Sequence, residues 1–164
     1  MVKINTTKGF TLIEILLVVA LVSIITFWGL FMSVDNYHQS SFINERDTLV
    51  SALTHARSQA INNVCIGTSA VHCTNGKDHG VHIKTSGGLV IEYIVFQGTT
   101  YNPNDPTNEI IKTNYTTSTS VPNEVYFERI SGEVNAPATI VLNGIASETS
   151  TINIGTEGQI YWDH

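Results

Sequence analysis

Charge is what this chain has least of. Only 13% of its 164 residues are Asp, Glu, Lys or Arg, and eight basic residues face fourteen acidic ones, for a formal net charge of −6. That balance supplies no clustered Lys/Arg footprint, so nucleic acid is not an expected partner. Catalytic signatures are missing too. There is no G-x-S-x-G, no H-E-x-x-H, no phosphate-cradling glycine loop and no paired carboxylates in a recognisable frame, so no enzyme activity and no cofactor are expected. Cysteine is reduced to Cys65 and Cys73, too few to decide the compartment. Proline is absent between Phe10 and Asn62. In place of charge stand Thr, Ser, Asn and Gly, a mixture that reads as a β-rich, turn-rich exported domain. The length suffices for one domain with a real core plus an appendage.

The appendage is N-terminal. Residues 1–9, MVKINTTKG, carry Lys3 and Lys8 and no acid, and Phe10–Val34 is a run of twenty-five residues with one charge, Glu14. At ~1.5 Å per residue a helix of that length exceeds the ~30 Å hydrocarbon core of a bilayer. The flanking lysines predict that the N-terminus stays cytoplasmic and the remainder lies outside, as a single span. A cleaved secretory signal fits less well, because the run is long and its second half, TFWGLFMSV, is bulky. Glu14 is the anomaly. A carboxylate inside a membrane costs about 2.5 kcal/mol or more, so it needs either a partner or a position near a membrane face.

A short basic leader ending in glycine, then Phe-Thr-Leu-Ile-Glu and some twenty apolar residues, resembles a type IV pilin or pseudopilin precursor. The resemblance implies a membrane prepilin peptidase that cuts between Gly9 and Phe10 and N-methylates Phe10. Glycine suits a scissile position, since the backbone can lie extended against the protease. Cleavage creates an α-amino cation one helical turn from Glu14. In the family that carboxylate pairs with such an amine, often a neighbouring subunit's, and sets register during assembly. Many pilins also carry a proline in this helix. This chain has none there, and Gly29 is the only local weakness.

Beyond Val34 the polarity changes but helix signals continue. Phe42, Leu49, Leu53, Ala56 and Ala60 follow three- and four-residue steps, with Glu45, Arg46, Asp47, Arg57 and Gln59 expected on the other sides. One long helix is the economical reading, with residues 10–34 as membrane or filament-core segment and 35–62 as an amphipathic continuation. Within it, Ala56-Arg57-Ser58-Gln59-Ala60-Ile61 is similar to a stretch in H-type minor pseudopilins, the GspH/FimT-like group, with Gln59 in place of their usual Glu. Small Ala56 and Ala60 would let a sheet pack close. Arg57 either ties the helix to head or neighbour, or is simply solvated.

From residue 63 to 164 the period becomes two, predicting a β-rich head. HGVHIKTSGGLVIEYIVFQG reads as strand, Ser86-Gly87-Gly88 turn and strand, with Val81, Ile83, Val90 and Ile94 inward. EVYFERISGEV and ATIVLNGIA supply further strands, the latter broken at Asn143-Gly144. The ending Ile152-x-Ile154-x-x-x-Gly158-x-Ile160-x-Trp162 also resembles the H-type group. Between them, Gly98–Pro122 predicts a long exposed loop, with room for an edge strand after Ile111. The expected fold is therefore α+β and type IV pilin-like, a long N-terminal helix packed on an antiparallel sheet or sandwich.

Cys65 and Cys73 close a small loop just after the helix, and in an exported domain a disulfide is the leading reading. Zinc on Cys65, His72, Cys73, His79 and His82 matches no standard spacing, and two free thiols are the third option. The loop Asn102–Glu109 offers oxygen donors of the kind calcium favours, at Asn102, Asn104, Asp105, Asn108 and Glu109. Such clusters more often make turns, so no metal is assigned. The resemblance implies a minor subunit of a type II secretion pseudopilus or a type IV pilus. Its partners would be prepilin peptidase, other pilins and an inner-membrane assembly platform. Its place would be the cytoplasmic membrane and then a periplasmic or surface filament. The alternative is a competence minor pilin that binds DNA.

Overall fold

The computed structural model describes residues 9–67, 76–113, 118–120, 122–145 and 147–163. Among the described residues one helix, α1 (Leu12–Ile61), precedes eight strands: β1 (His79–Ser86), β2 (Leu89–Gln97), β3 (Glu109–Lys112), β4 (Ser118–Ser120), β5 (Glu124–Phe127), β6 (Ala138–Asn143), β7 (Thr149–Ile154) and β8 (Ile160–Asp163). The chain divides into two units, Met1–Tyr37 and His38–His164.

In the first unit, Thr11 caps α1. Its hydroxyl and carbonyl lie 3.4 and 3.1 Å from the Glu14 amide, so one of the donors orphaned at a helix start is satisfied. Residues 9–29 are all exposed, and Leu12–Gly29 is long and apolar enough to cross a membrane. Two hydroxyls inside this stretch are satisfied internally. Ser23 donates to the Val19 carbonyl and Thr26 to the Val22 carbonyl, both at 2.7 Å. Such back-bonding is what hydroxyls need where no water is available.

In the second unit, α1 turns Phe42, Leu49, Ala52, Leu53, Ala56 and Ala60 into a core shared with Val81, Ile83, Tyr93, Val95, Phe127, Ile140, Leu142, Ile152 and Ile154. Burying Leu49 and Leu53, both fully shielded, contributes about 1.5–3 kcal/mol each. Glu45 and Arg46, expected on the outer side, are buried instead. Arg46 pairs with Asp47 at 2.8 Å and lies 5.9 Å from the Trp162 ring, so its planar cation is covered without being stranded.

The strands form one antiparallel sheet in the order β5-β1-β2-β4-β6-β7-β8, with β3 pairing β2 off this path. Ladder partners Val81–Val95 and Ile83–Tyr93 face α1, and His82–Ile94 and Gly80–Phe96 face the other way. Ile94 is thus buried on the outer face, not inward beside Val81 as the alternation suggested. The register shifts between Lys84 and Thr85, leaving Ile91 unpaired and returning Val90 to the core face. The expected long loop after Gly98 contains both β3 and β4. β4 is no edge strand: it bridges Leu89 of β2 to Val141–Asn143 of β6. Prolines 103, 106 and 122 lie outside both strands, so their missing amides interrupt neither ladder.

Candidate functional site

Gly9 and Phe10 precede the helix in non-helical, exposed backbone, and Phe10 is 78% exposed. Glu14 occupies the third helical position behind its Thr11 cap. Thr-x-x-Glu is the capping-box pattern, which places an acid in the first turn, where the helix dipole favours it. The geometry therefore gives Glu14 a local reason to sit at the helix start, which the sequence reading had not supplied. An exposed backbone, a capped start and an acid one turn in occupy the first few residues of an exposed apolar helix.

At the other end, α1 stops in a Schellman arrangement. Asn63 adopts φ 53°, its amide reaches the Ala60 carbonyl at 3.0 Å, and the Val64 amide reaches Gln59 at 2.9 Å. Just before this stop, Arg57 clasps two loops. Its Nη2 donates to the Glu157 carbonyl at 3.0 Å and its Nε lies 3.4 Å from the Gly132 carbonyl. The Ala60 carbonyl accepts from the Ile130 amide at 2.9 Å. Buried Ala56 and Ala60 leave room for this approach. Gly132 (φ +69°) and Gly158 (φ +74°) meet beneath the guanidinium, where a Cβ on Gly158 would collide with the Gly132 carbonyl. Ile130 holds φ 71°, unusual for a β-branched residue. Gly132 and Ile130 had not been singled out from sequence. Only the Ser-Gly pair at 131–132 signals a turn there.

Cys65 is disulfide-bonded, and Cys73 lies outside the described residues, as does His72. The segment following Cys65 is held by Gln97, whose amide meets both the Ile66 amide (2.7 Å) and its carbonyl (3.4 Å). His79 is fully buried, with Nε2 2.9 Å from the Val64 carbonyl. Burial holds its pKa below the ordinary imidazole value, outweighing the Val64 bond and the nearby Asp78 charge. His79 and His82, three apart on β1, face opposite sides of the sheet and form no common ligand set. Among the described residues no three His, Cys, Asp or Glu side chains come together as a metal site would require.

Of the Asn102–Glu109 donors, Asp105 and Asn102 are spent on turns, while Glu109 lies 3.5 Å from His55. Asp105 accepts from the Thr107 amide and hydroxyl at 2.9 and 2.7 Å, and Asn102 from the Asn104 amide at 3.0 Å. A groove of about 480 Å³ beside β5 is lined by Pro122, Glu124, Tyr126 and the Val134–Thr139 segment. Among the described lining residues Glu124 is the single carboxylate, so they offer no carboxylate pair.

The fold is α+β and type IV pilin-like, with an exposed apolar N-terminal helix. Residues 4–28 match the prokaryotic N-terminal methylation motif. The structure is similar to that of the type IV minor pilin FimU of Pseudomonas aeruginosa strain PAO1. The TM-score is 0.50 at 13% identity, covering 77% of this chain and 92% of that one. No curated protein matches in sequence. The α+β, pilin-like architecture is thereby established.

Proposed function

We propose that the chain is a minor subunit of a type IV pilus or of the related secretion pseudopilus, and that its work is assembly. The observation that carries this is the methylation motif of residues 4–28 set on an exposed apolar helix that leads into a minor-pilin fold. Prepilin peptidase cuts after Gly9, and Phe10 becomes the methylated first residue. Before assembly the subunit waits in the cytoplasmic membrane with its globular unit outside. Extraction exchanges lipid contacts along Leu12–Gly29 for helix–helix contacts with other pilins. Glu14 then pairs with an N-terminal amine of the filament, because an unpaired carboxylate in that core carries a desolvation cost that misregistered packing cannot relieve.

The Cys65–Cys73 bridge staples the connection between α1 and β1, and Arg57 with Ala56 and Ala60 docks the helix end onto the loops beneath it. The DNA-uptake alternative gains no support from the charge arrangement. Of six basic residues in the globular unit, Arg46 and Lys84 are paired with acids, and Arg57 and Arg129 are turned onto backbone carbonyls.

Two variants test the proposal in cells that carry a prepilin peptidase. Gly9→Val blocks maturation, so a mature-size product from it would exclude the assigned cleavage site. Glu14→Ala inserts in the membrane but does not enter filaments, and normal filament entry would refute the pairing role.

A further inference from the structure

The outer face of β1 and β2 is roofed by the loop 98–108. Tyr101 lies flat on His82, with ring centroids 4.1 Å apart and planes at 16°, and meets the edge of Phe96 at 5.9 Å. Phe96 and, on the same face of β2, Ile94 are almost wholly buried. Gly80 makes room, since a Cβ there would press on the Phe96 ring. Glu124 works in two directions. Its Oε1 accepts the Tyr101 amide at 3.1 Å, fixing the loop backbone. Its Oε2 stands 3.6 Å from His82 Nδ1, a nitrogen shielded from solvent with no hydrogen-bond partner. That spacing is too long for a hydrogen bond and short enough for an ion pair.

We propose that loop 98–108 is a proton-tightened strap, locked over the Phe96/Ile94 face when His82 takes a proton on Nδ1. The imidazolium then donates a charge-assisted bond to Glu124, which already holds the Tyr101 amide. It also presents a cation to the Tyr101 ring. With His82 neutral, an Nδ1–H tautomer can still donate but without the charge, so the contact weakens and the roof over the apolar face loosens. Histidine is the side chain suited to such a change between about pH 5 and 8.

The other charged groups on this face are already engaged or sit further along the ladder. Lys84 is bound to Glu92 at 2.8 Å, and Lys112 of β3 lies opposite Glu92 in register. Asp105, the loop's own carboxylate, is taken up by Thr107. Tyr126 shares the β5 face with Glu124 and brings only a phenol.

The test is amide hydrogen exchange on the full chain in detergent micelles at about pH 5 and about pH 8, corrected for intrinsic exchange. Protection of the Tyr101 amide should be about tenfold greater at the lower pH. In His82→Gln and in Glu124→Gln, which keeps an oxygen for the Tyr101 amide, that difference should vanish while Tyr93 in the core stays protected. If one variant fails to fold, the other and the wild-type pair still decide. Equal Tyr101 protection at the two pH values, or a difference that survives in either folded variant, overturns the proposal. Protonation of His79 works in the opposite sense, loosening the fold at low pH, so the sign separates the two histidines.

Discussion

Gly158→Ala is the most informative single change in the globular unit. Gly158 is buried at φ +74°, and a Cβ there would collide with the Gly132 carbonyl and lie 2.8 Å from Arg57 Nε. A left-handed backbone costs an L side chain about 1–2 kcal/mol. Forcing an extra carbon into packed surroundings adds about 1–3 kcal/mol, and no rotamer relieves a collision with main chain. The total is about 2–5 kcal/mol. Gly87→Ala provides the comparison, because Gly87 has φ +62° and nothing within 4 Å. It should carry the conformational cost alone, about 1–2 kcal/mol. Urea unfolding of the full chain in micelles, followed by the β-sheet circular dichroism signal, measures both. With a slope near 2 kcal/mol/M, Gly158→Ala should lower the midpoint by about 1–2.5 M. If it costs no more than Gly87→Ala, the tight clasp beneath Arg57 is not what holds these loops.

Three further outcomes follow from the same structure. Arg57→Met removes donors to two backbone carbonyls and should cost about 1–3 kcal/mol in the same assay. Arg57→Lys should recover less than half of that, because a point cation lacks the fork. His79 is held below its ordinary pKa, so its stabilisation is complete above about pH 6.5 and is lost as pH falls through the lowered folded value. Thermal unfolding should therefore come earlier under mild acid, and His79→Asn should flatten that dependence. Reduction of a Cys65–Cys73 bridge should cost about 2–3 kcal/mol for so short a loop. Intact mass without reductant should be lighter by two hydrogens than after reduction.

The helix was legible because its signals are local: a twenty-five-residue run with one charge, then apolar residues at helical spacing with no proline. β1, β2, β5 and β6 were legible from alternation and turn residues. What alternation alone did not reveal is depth. Arg46 is buried where Trp162 and Asp47 meet it, and Ile94 lies on a second apolar face of the sheet that also carries Phe96 against Tyr101. The Trp162 contact joins residues far apart in sequence, and the Tyr101 contact depends on a loop folding back over β2. β4 escaped because three Ser/Thr residues carry little hydrophobic signal, and their strand state comes from pairing with β6. At the N-terminus the cleavage and pairing residues were suggested by resemblance, and the Thr11 cap adds a geometric reason for an acid at position 14. Arg57 was flagged without its partners, because Gly132 and Glu157 are brought to it only by the fold.

The central claim is that this chain is made as a prepilin. The direct measurement is the N-terminal sequence and intact mass of the protein extracted from membranes of cells with an active prepilin peptidase. A prepilin yields a chain that begins at Phe10 and carries one N-methyl group, and an unprocessed chain when the peptidase is absent. A chain that retains Gly9 in the presence of the peptidase, or begins beyond Phe10, would contradict it.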